Sequence, residues 1–326
     1  MAGPAYRSIR IVCPALARTG GPEALHQLGR ALLDRGHDAA IVYIADDIDT
    51  WISFRDGVAE APALADLMAP EYAVYGVPRA TAIADADDVG VVIPEIWPRL
   101  ASRFTRATVH LWWLSIDNGL ERLREAGGLA ALGPRCLHLA QSHYAQTWLA
   151  ARGVRARMLS DYITPAMTAT AAERAEPREA RILYPARGRE FAETLRARAP
   201  ELAWREIGGL TPEALRALFL ASRLYVDFGN HPGKDRMPRE AAMLGCCIVT
   251  GRRGAAGNRV DIPIPNRYKF RETRFAIPAV LRTLRRLLRE HEARAGDFAA
   301  YRAAIAGERE TFAREVASVF GQALAR

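Results

Sequence analysis

Residues 225–251, YVDFGNHPGKDRMPREAAMLGCCIVTG, leave the chain few ways to fold. The apolar residues Leu224, Tyr225 and Val226 predict a strand that runs into a turn rich in Gly, His, Pro and Lys. Pro238 suits the opening of a helix, with Glu240 in its first turn. Gly245 suits the end of that helix, and Cys246 to Val249 predict a second buried strand. A strand, glycine-bearing turn, helix and strand in this order present free N–H groups and a positive helix end to a ligand. Lys234 and Arg236 add positive charge beside them, so the segment suits a diphosphate. Glu240 supplies a carboxylate able to accept hydroxyl hydrogens.

The same alternation recurs along the chain. Residues 8–14 (SIRIVCP) predict a first strand, 15–22 a glycine-bearing loop, and 23–35 an amphipathic helix. Gly36 is its expected cap, and 39–44 the next strand. Further strands are expected at 89–93, 108–113 and 136–140, with helices at 98–106 and 144–152. The pattern restarts at 181–185 (RILYP), after an Ala/Glu/Arg-rich stretch at 169–180 that is the best linker candidate. From there a helix (188–199), strand (202–207), helix (212–222) and strand (224–228) lead into the opening segment. Residues 277–326 are expected to be mostly helical, with the stripe Val280, Leu281, Leu284, Leu287 and Leu288 facing a core rather than a membrane.

The expected fold class is α/β, two Rossmann-like domains facing a cleft, with C-terminal helices. The expected boundaries are 1–165, 166–275 and 276–326, the last packing back on the first domain. A chain of 326 residues has room for this, and its composition is globular.

Composition narrows the function classes. Net charge is +8, with Arg scattered through an Ala-rich chain. No basic run with interleaved aromatics, zinc spacing or nucleic-acid module occurs, so nucleic acid is not the expected partner. Cys13, Cys136, Cys246 and Cys247 include no Cys-x-x-Cys pair and are expected as thiols in a reducing cytoplasm. The N-terminal residues show no long apolar export segment.

Two glycine motifs are decoys. GNHPGKD at 229–235 has three residues between its glycines, and Asp235 follows Lys234 where a P-loop needs Ser or Thr. GRRGAAG at 251–257 is not GxGxxG. Asp85-Ala-Asp87-Asp88 imitates a metal-binding DxD but is expected to be a solvated turn, and no metal is expected.

Gly20-Gly21-x-Glu23 after the first strand resembles the glycine loop of GT-B-fold glycosyltransferases. The run Pro-Arg-Glu240-Ala-Ala-Met-Leu-Gly-Cys-Cys resembles the helix start of the Glu-x7-Glu region in family 4-like enzymes of that fold. There the second Glu binds the donor ribose, a role that falls on Glu240. Pro232 stands where the first, sugar-contacting Glu belongs, leaving His231, Lys234 or Asp235 as replacements. FGNHPGKDRMPREAA with the later PIPNRYKF resembles bacterial surface-polysaccharide glycosyltransferases. The resemblance is strongest over 181–270, weaker over 8–45, and rests on element order between them.

That resemblance implies transfer of a sugar from a nucleotide sugar (UDP- or GDP-sugar) to an acceptor hydroxyl, with no permanently bound cofactor. It implies a donor site built from Gly20, Gly21, Arg187, Gly188, Ile207, His231, Gly233, Lys234, Asp235, Arg236 and Glu240. Arg187 also stands on its own chemistry, since a guanidinium pairs bidentately with phosphate oxygens. Glu95, Asp117 and His143 each follow an expected strand and are the catalytic candidates, Glu95 or Asp117 as general base. Trp97, Trp112 and Trp113 suit either sugar stacking or the core, with the core favoured. The acceptor is expected to be a glycan, a lipid-linked molecule or a small molecule, handled in the cytoplasm with the inner membrane face as an option. A nucleotide-sugar epimerase on the same fold and a non-catalytic nucleotide-binding scaffold are the rival readings.

Overall fold

The computed structural model describes residues 6–45, 52–62, 67–170, 172–173 and 176–321. Residues 171 and 174–175 of the candidate linker, and Met1–Ala5, lie outside them. The chain divides into two units, residues 1–161 with 309–326, and residues 162–308.

The first unit opens with β1 (Ser8–Pro14), α1 (Gly20–Asp34) and β2 (Ala39–Ile44). Gly36, with φ of 81°, donates its N–H to Leu33 O just past the helix end. A small antiparallel sheet follows, β3 (Ser53–Arg55), β4 (Val58–Glu60) and β5 (Ala82–Ala84), which the sequence pattern does not announce. Then come β6 (Val89–Pro94), α2 (Pro98–Ala101), β7 (Thr108–Trp113), α3 (Ile116–Glu125), β8 (Cys136–Ala140), α4 (His143–Ala150) and β9 (Ala156–Met158). Six strands form one parallel sheet in the order β2-β1-β6-β7-β8-β9. Strands buried on both faces need continuous apolar runs, and β2 and β6 are buried at every position.

The expected helix at 98–106 stops at Ala101 because the backbone beyond it has another partner. Asp85 accepts N–H bonds from Thr105 (2.9 Å), Arg106 (2.8 Å) and Ala107 (2.8 Å), plus the Thr105 hydroxyl (2.7 Å). Asp85 therefore organises that loop, while Asp87 and Asp88 form the expected turn, with Asp87 exposed.

The second unit runs β10 (Glu179–Pro185), α5 (Arg189–Arg198), β11 (Ala203–Ile207), α6 (Pro212–Ala221), β12 (Ser222–Asp227), α7 (Arg236–Met243) and β13 (Cys247–Thr250). Its parallel sheet has the order β11-β10-β12-β13. Thr211 caps α6 by accepting the Ala214 N–H, and Pro212 occupies the first helical position. Helices α8 (Ile277–Arg289), α9 (His291–Ala295) and α10 (Ala299–Ala306) complete it. Val280, Leu281, Leu284, Leu287 and Leu288 of α8 are buried in the core with Leu224 and Val226 of β12. The stripe is core-facing, as its spacing predicts.

The last helix, α11 (Glu308–Phe320), belongs from Arg309 onward to the first unit. Glu315 accepts the Ser160 N–H (2.7 Å) and hydroxyl (2.6 Å), and Arg157 reaches Ser318 Oγ at 2.8 Å. Among the described residues no helix is long and apolar enough to cross a membrane.

Candidate functional site

In a doubly wound sheet, ligands collect beyond the carboxyl ends of the strands where the strand order reverses. In the second unit that point lies between β10 and β12. The loops leaving these two strands touch there, and glycine is what lets them. A Cβ on Gly188, whose φ is 73°, would sit 2.3 Å from Gly229 N. A Cβ on Gly229 would sit 2.4 Å from Arg187 Cγ.

A cluster of charge fills this junction. Asp227, at the end of β12, is fully buried. It takes an Arg187 Nη2 bond at 2.6 Å, the Tyr225 hydroxyl at 2.9 Å and the Gly229 N–H at 3.3 Å. The other guanidinium arm, Arg187 Nη1, lies 3.0 Å from Asp235. His231 is buried between the two acids, its Nδ1 2.8 Å from Asp235 and its Nε2 3.5 Å from Asp227. Arg187 is thus clamped by two carboxylates, with 34% of its side chain exposed.

Helix α7 begins at Arg236, two residues before Pro238, with Asp235 as its N-cap residue. The Asp235 carboxylate turns to Arg187 and His231, so it makes no cap bond to the helix. Arg236 Nε is 3.4 Å from Glu240, which is buried one turn on. Lys234 faces Glu308 at 2.7 Å, and Arg239, fully buried, donates to the same carboxylate at 2.9 Å. Arg239 also donates to the carbonyls of Lys234 (2.8 Å) and Asp235 (3.1 Å), which sets the shape of the 229–235 turn around Gly233.

Beside the junction opens a cavity of about 570 Å³ lined by Gly188, Arg189, Glu190, Phe191, Arg253 and Glu272, among others. Arg253 donates to Glu272 at 2.7 Å and to Phe228 O at 3.2 Å. Burial pushes the Glu272 carboxyl up. Ile207 ends β11, and Gly208 and Gly209 after it have open space around them.

The first unit has its own switch point between β1 and β6. Gly20 and Gly21 form the first turn of α1 and are not at positive φ; Leu16, with φ of 56°, is the left-handed residue of the preceding loop. The Tyr72 hydroxyl reaches the carbonyls of Ala17 (3.2 Å) and Thr19 (3.1 Å) and fastens that loop. A Cβ on Gly21 would meet Leu114 at 3.7 Å. The Leu114 N–H in turn donates to Glu95 Oε2 at 3.1 Å.

Glu95 follows β6 and is buried, and burial pushes its carboxyl up to about 8. Gly119 makes room for it, since a Cβ there would lie 2.9 Å from Glu95 Cγ. Asp117 is half-buried and accepts the Tyr144 hydroxyl at 3.1 Å. His143 opens α4 next to Tyr144. Trp112 and Trp113 are fully buried, donating to Leu159 O (2.8 Å) and His138 Nδ1 (3.0 Å). Both are core residues, so neither can stack on a sugar. Trp97 packs on the same core.

Asp227, Arg239, Arg253 and Glu272 are missed by sequence reasoning. Asp227 had a signal, an acid near the end of an apolar strand. Arg253 sat inside GRRGAAG, rightly set aside as a dinucleotide motif. Among the described residues no three His, Cys, Asp or Glu side chains cluster to hold a metal.

No family model matches this sequence, and no curated protein is similar to it in sequence. Solved structures do resemble it. HepE from Anabaena, in complex with UDP-glucose, has 12% identity, covers 95% of this chain and 98% of its own, and gives a TM-score of 0.62. TarM has 8% identity, 95% and 97% coverage, and a TM-score of 0.63. Sucrose-phosphate synthase from Thermosynechococcus elongatus has 12% identity, 95% and 97% coverage, and a TM-score of 0.60.

The chain has the GT-B fold. In that GT-B frame the β10–β12 junction and the Gly20–Gly21 helix start lie at the two switch points, one in each unit. At 8–12% identity the likeness carries the fold and no residue role.

Proposed function

We propose that this protein is a glycosyltransferase that moves a sugar from a nucleotide-sugar donor, a UDP-sugar in the first instance, to an acceptor hydroxyl. The observation that carries the proposal is the Gly188–Gly229 contact at the β10–β12 switch point, which sets the Gly188 backbone in the wall of the Arg189–Arg253 cavity, next in the chain to the clamped Arg187. The space beside both glycines is filled by the neighbouring loop, so what the contact supplies is position, holding the loop backbone against a cavity lined by two arginines. HepE, which shares the fold, holds UDP-glucose.

In this reading the donor occupies the second unit. Arg189 and Arg253 face the diphosphate, Arg187 is positioned for it by Asp227 and Asp235, and Glu240 accepts ribose hydroxyls. Fixed cations offset the charge of the departing diphosphate without a metal. Lys234 acts through Glu308 and the turn it shapes. The acceptor, a glycan or glycoconjugate precursor, is assigned to the first unit. Its hydroxyl oxygen attacks the anomeric carbon as the bond to the diphosphate breaks, and the diphosphate leaves with the electron pair. In an inverting transfer a base takes the hydroxyl proton. Asp117 is the more accessible candidate, since Glu95 is buried and braces the 114 backbone.

The test is nucleoside diphosphate release from a panel of nucleotide sugars, with and without glycan acceptors. One donor should be turned over, and Asp117→Asn should lower kcat about 100-fold or more with donor KM unchanged, the scale of general-base loss. Full activity in Asp117→Asn would remove it as the base. No turnover of any donor would remove the transferase assignment.

A further inference from the structure

Helix α8 presents a second charged surface that sugar transfer does not use. Arg282, Arg285, Arg286 and Arg289, with Arg198 from the end of α5, line a groove of about 580 Å³ whose floor is Ile277, Pro278 and Leu281. Positions 278, 282, 285 and 289 repeat at helical spacing, so they form one exposed stripe alongside the buried leucines, with Leu281 at the boundary. The carboxylates are too few to neutralise it. Glu201 meets Arg285 at 2.7 Å, while Glu290 alone serves Arg286 (3.0 Å), Arg289 (2.9 Å) and Arg294 (3.0 Å). Among the described residues no carboxylate pairs with Arg198 or Arg282. Just before the helix, Phe275 is 80% exposed, with the Arg274 guanidinium 4.7 Å from its ring centre.

We propose that this face of α8 docks on an anionic lipid bilayer, the arginines lying over headgroup phosphates and Phe275 entering the interface. The apolar face of α8 is committed to the protein core, so the helix cannot sink into the bilayer as a free amphipathic helix does. What remains is electrostatic adsorption by guanidiniums, with one apolar anchor. Phe275 distinguishes a bilayer from a soluble polyanion: an extended phosphate polymer satisfies the arginines but gives an exposed ring nowhere to go. The inference does not depend on the transferase assignment, because it needs no donor.

The experiment is flotation of the full-length protein with vesicles of phosphatidylcholine plus phosphatidylglycerol, and with phosphatidylcholine alone. Binding should require the anionic lipid and weaken as salt rises. Reversing two charges in Arg282→Glu/Arg286→Glu should lower the partition coefficient about tenfold or more, and Phe275→Ser should lower it while leaving soluble polyphosphate binding unchanged. Both sites are exposed, and an unchanged melting curve certifies the fold of each variant. Absence of vesicle binding, or vesicle binding indifferent to the double reversal, overturns the proposal. Polyphosphate binding without vesicle binding also overturns it, and assigns the groove to a soluble polyanion.

Discussion

Arg187 Nη2 stands 2.6 Å from Asp227 Oδ2, an ion pair that spans the two strands on either side of the switch point. The acid is fully buried and the base partly exposed, so the pair fixes a cation beside the Gly188–Gly229 contact. Arg187→Ala should destabilise the protein by about 3 kcal/mol, the low end for a broken buried pair, because Tyr225 and Gly229 still donate to Asp227. Urea unfolding measures this, and a change under about 0.5 kcal/mol, typical of a surface site, would contradict the pairing.

Glu95 supplies a pH dependence. Its folded pKa, about 8, is raised from 4.5, so the folded state binds more protons between those values. Stability attributable to this group is present at low pH and is lost as pH rises from about 4.5 to about 8. Glu95→Gln keeps an acceptor for the Leu114 N–H and removes the slope. The variant should gain roughly 3–5 kcal/mol over the parent at pH 9 relative to pH 4. Parallel stability–pH curves for the two proteins would show that Glu95 is not held in an apolar site.

Gly254 is a backbone requirement. Its φ is 60°, and a Cβ would lie 2.0 Å from the His231 carbonyl, which accepts the Ala255 N–H at 2.8 Å. Gly254→Ala should cost more than about 2 kcal/mol, with the urea midpoint lowered at constant slope. A neutral substitution would mean the 231–255 contact is not formed in solution.

Arg239, Lys234 and Glu308 form a buried charge triad, and its value lies in geometry more than in stability. Glu308→Leu alone should cost about 3–5 kcal/mol by stranding Arg239. Arg239→Met with Glu308→Leu should recover much of that loss, which a double-mutant cycle reads directly. The double variant should still bind nucleotide more weakly than the parent, because the 234 and 235 carbonyls lose their anchor. Simple additivity of the two substitutions would contradict direct coupling.

Strand boundaries were legible where apolar runs meet a proline or glycine or end at a polar break. β1, β2, β7 and β8 occupy the predicted residues 8–14, 39–44, 108–113 and 136–140. The β3–β5 sheet was not, since three-residue strands with mostly exposed side chains carry no period to detect. The Gly20–Gly21 segment was expected as a loop and is helix, because two glycines depress propensity without forbidding the helical φ. Around the candidate site, Arg187, Gly188 and the 229–240 run could be singled out from residue type and position alone. Their partners could not: Lys234 meets an acid 74 positions away, and Asp227 lies 40 from Arg187. Distances of that kind are set by strand order, which a single sequence does not print.

Calorimetric titration of the purified protein with UDP, GDP and ADP, repeated on Glu240→Ala and Arg253→Ala, tests the central claim most directly. The account predicts micromolar binding of one nucleotide, weakened about tenfold or more in each variant, as loss of a charge-assisted hydrogen bond implies. No binding of any nucleotide, or binding that both variants leave intact, would contradict a donor site at the β10–β12 junction.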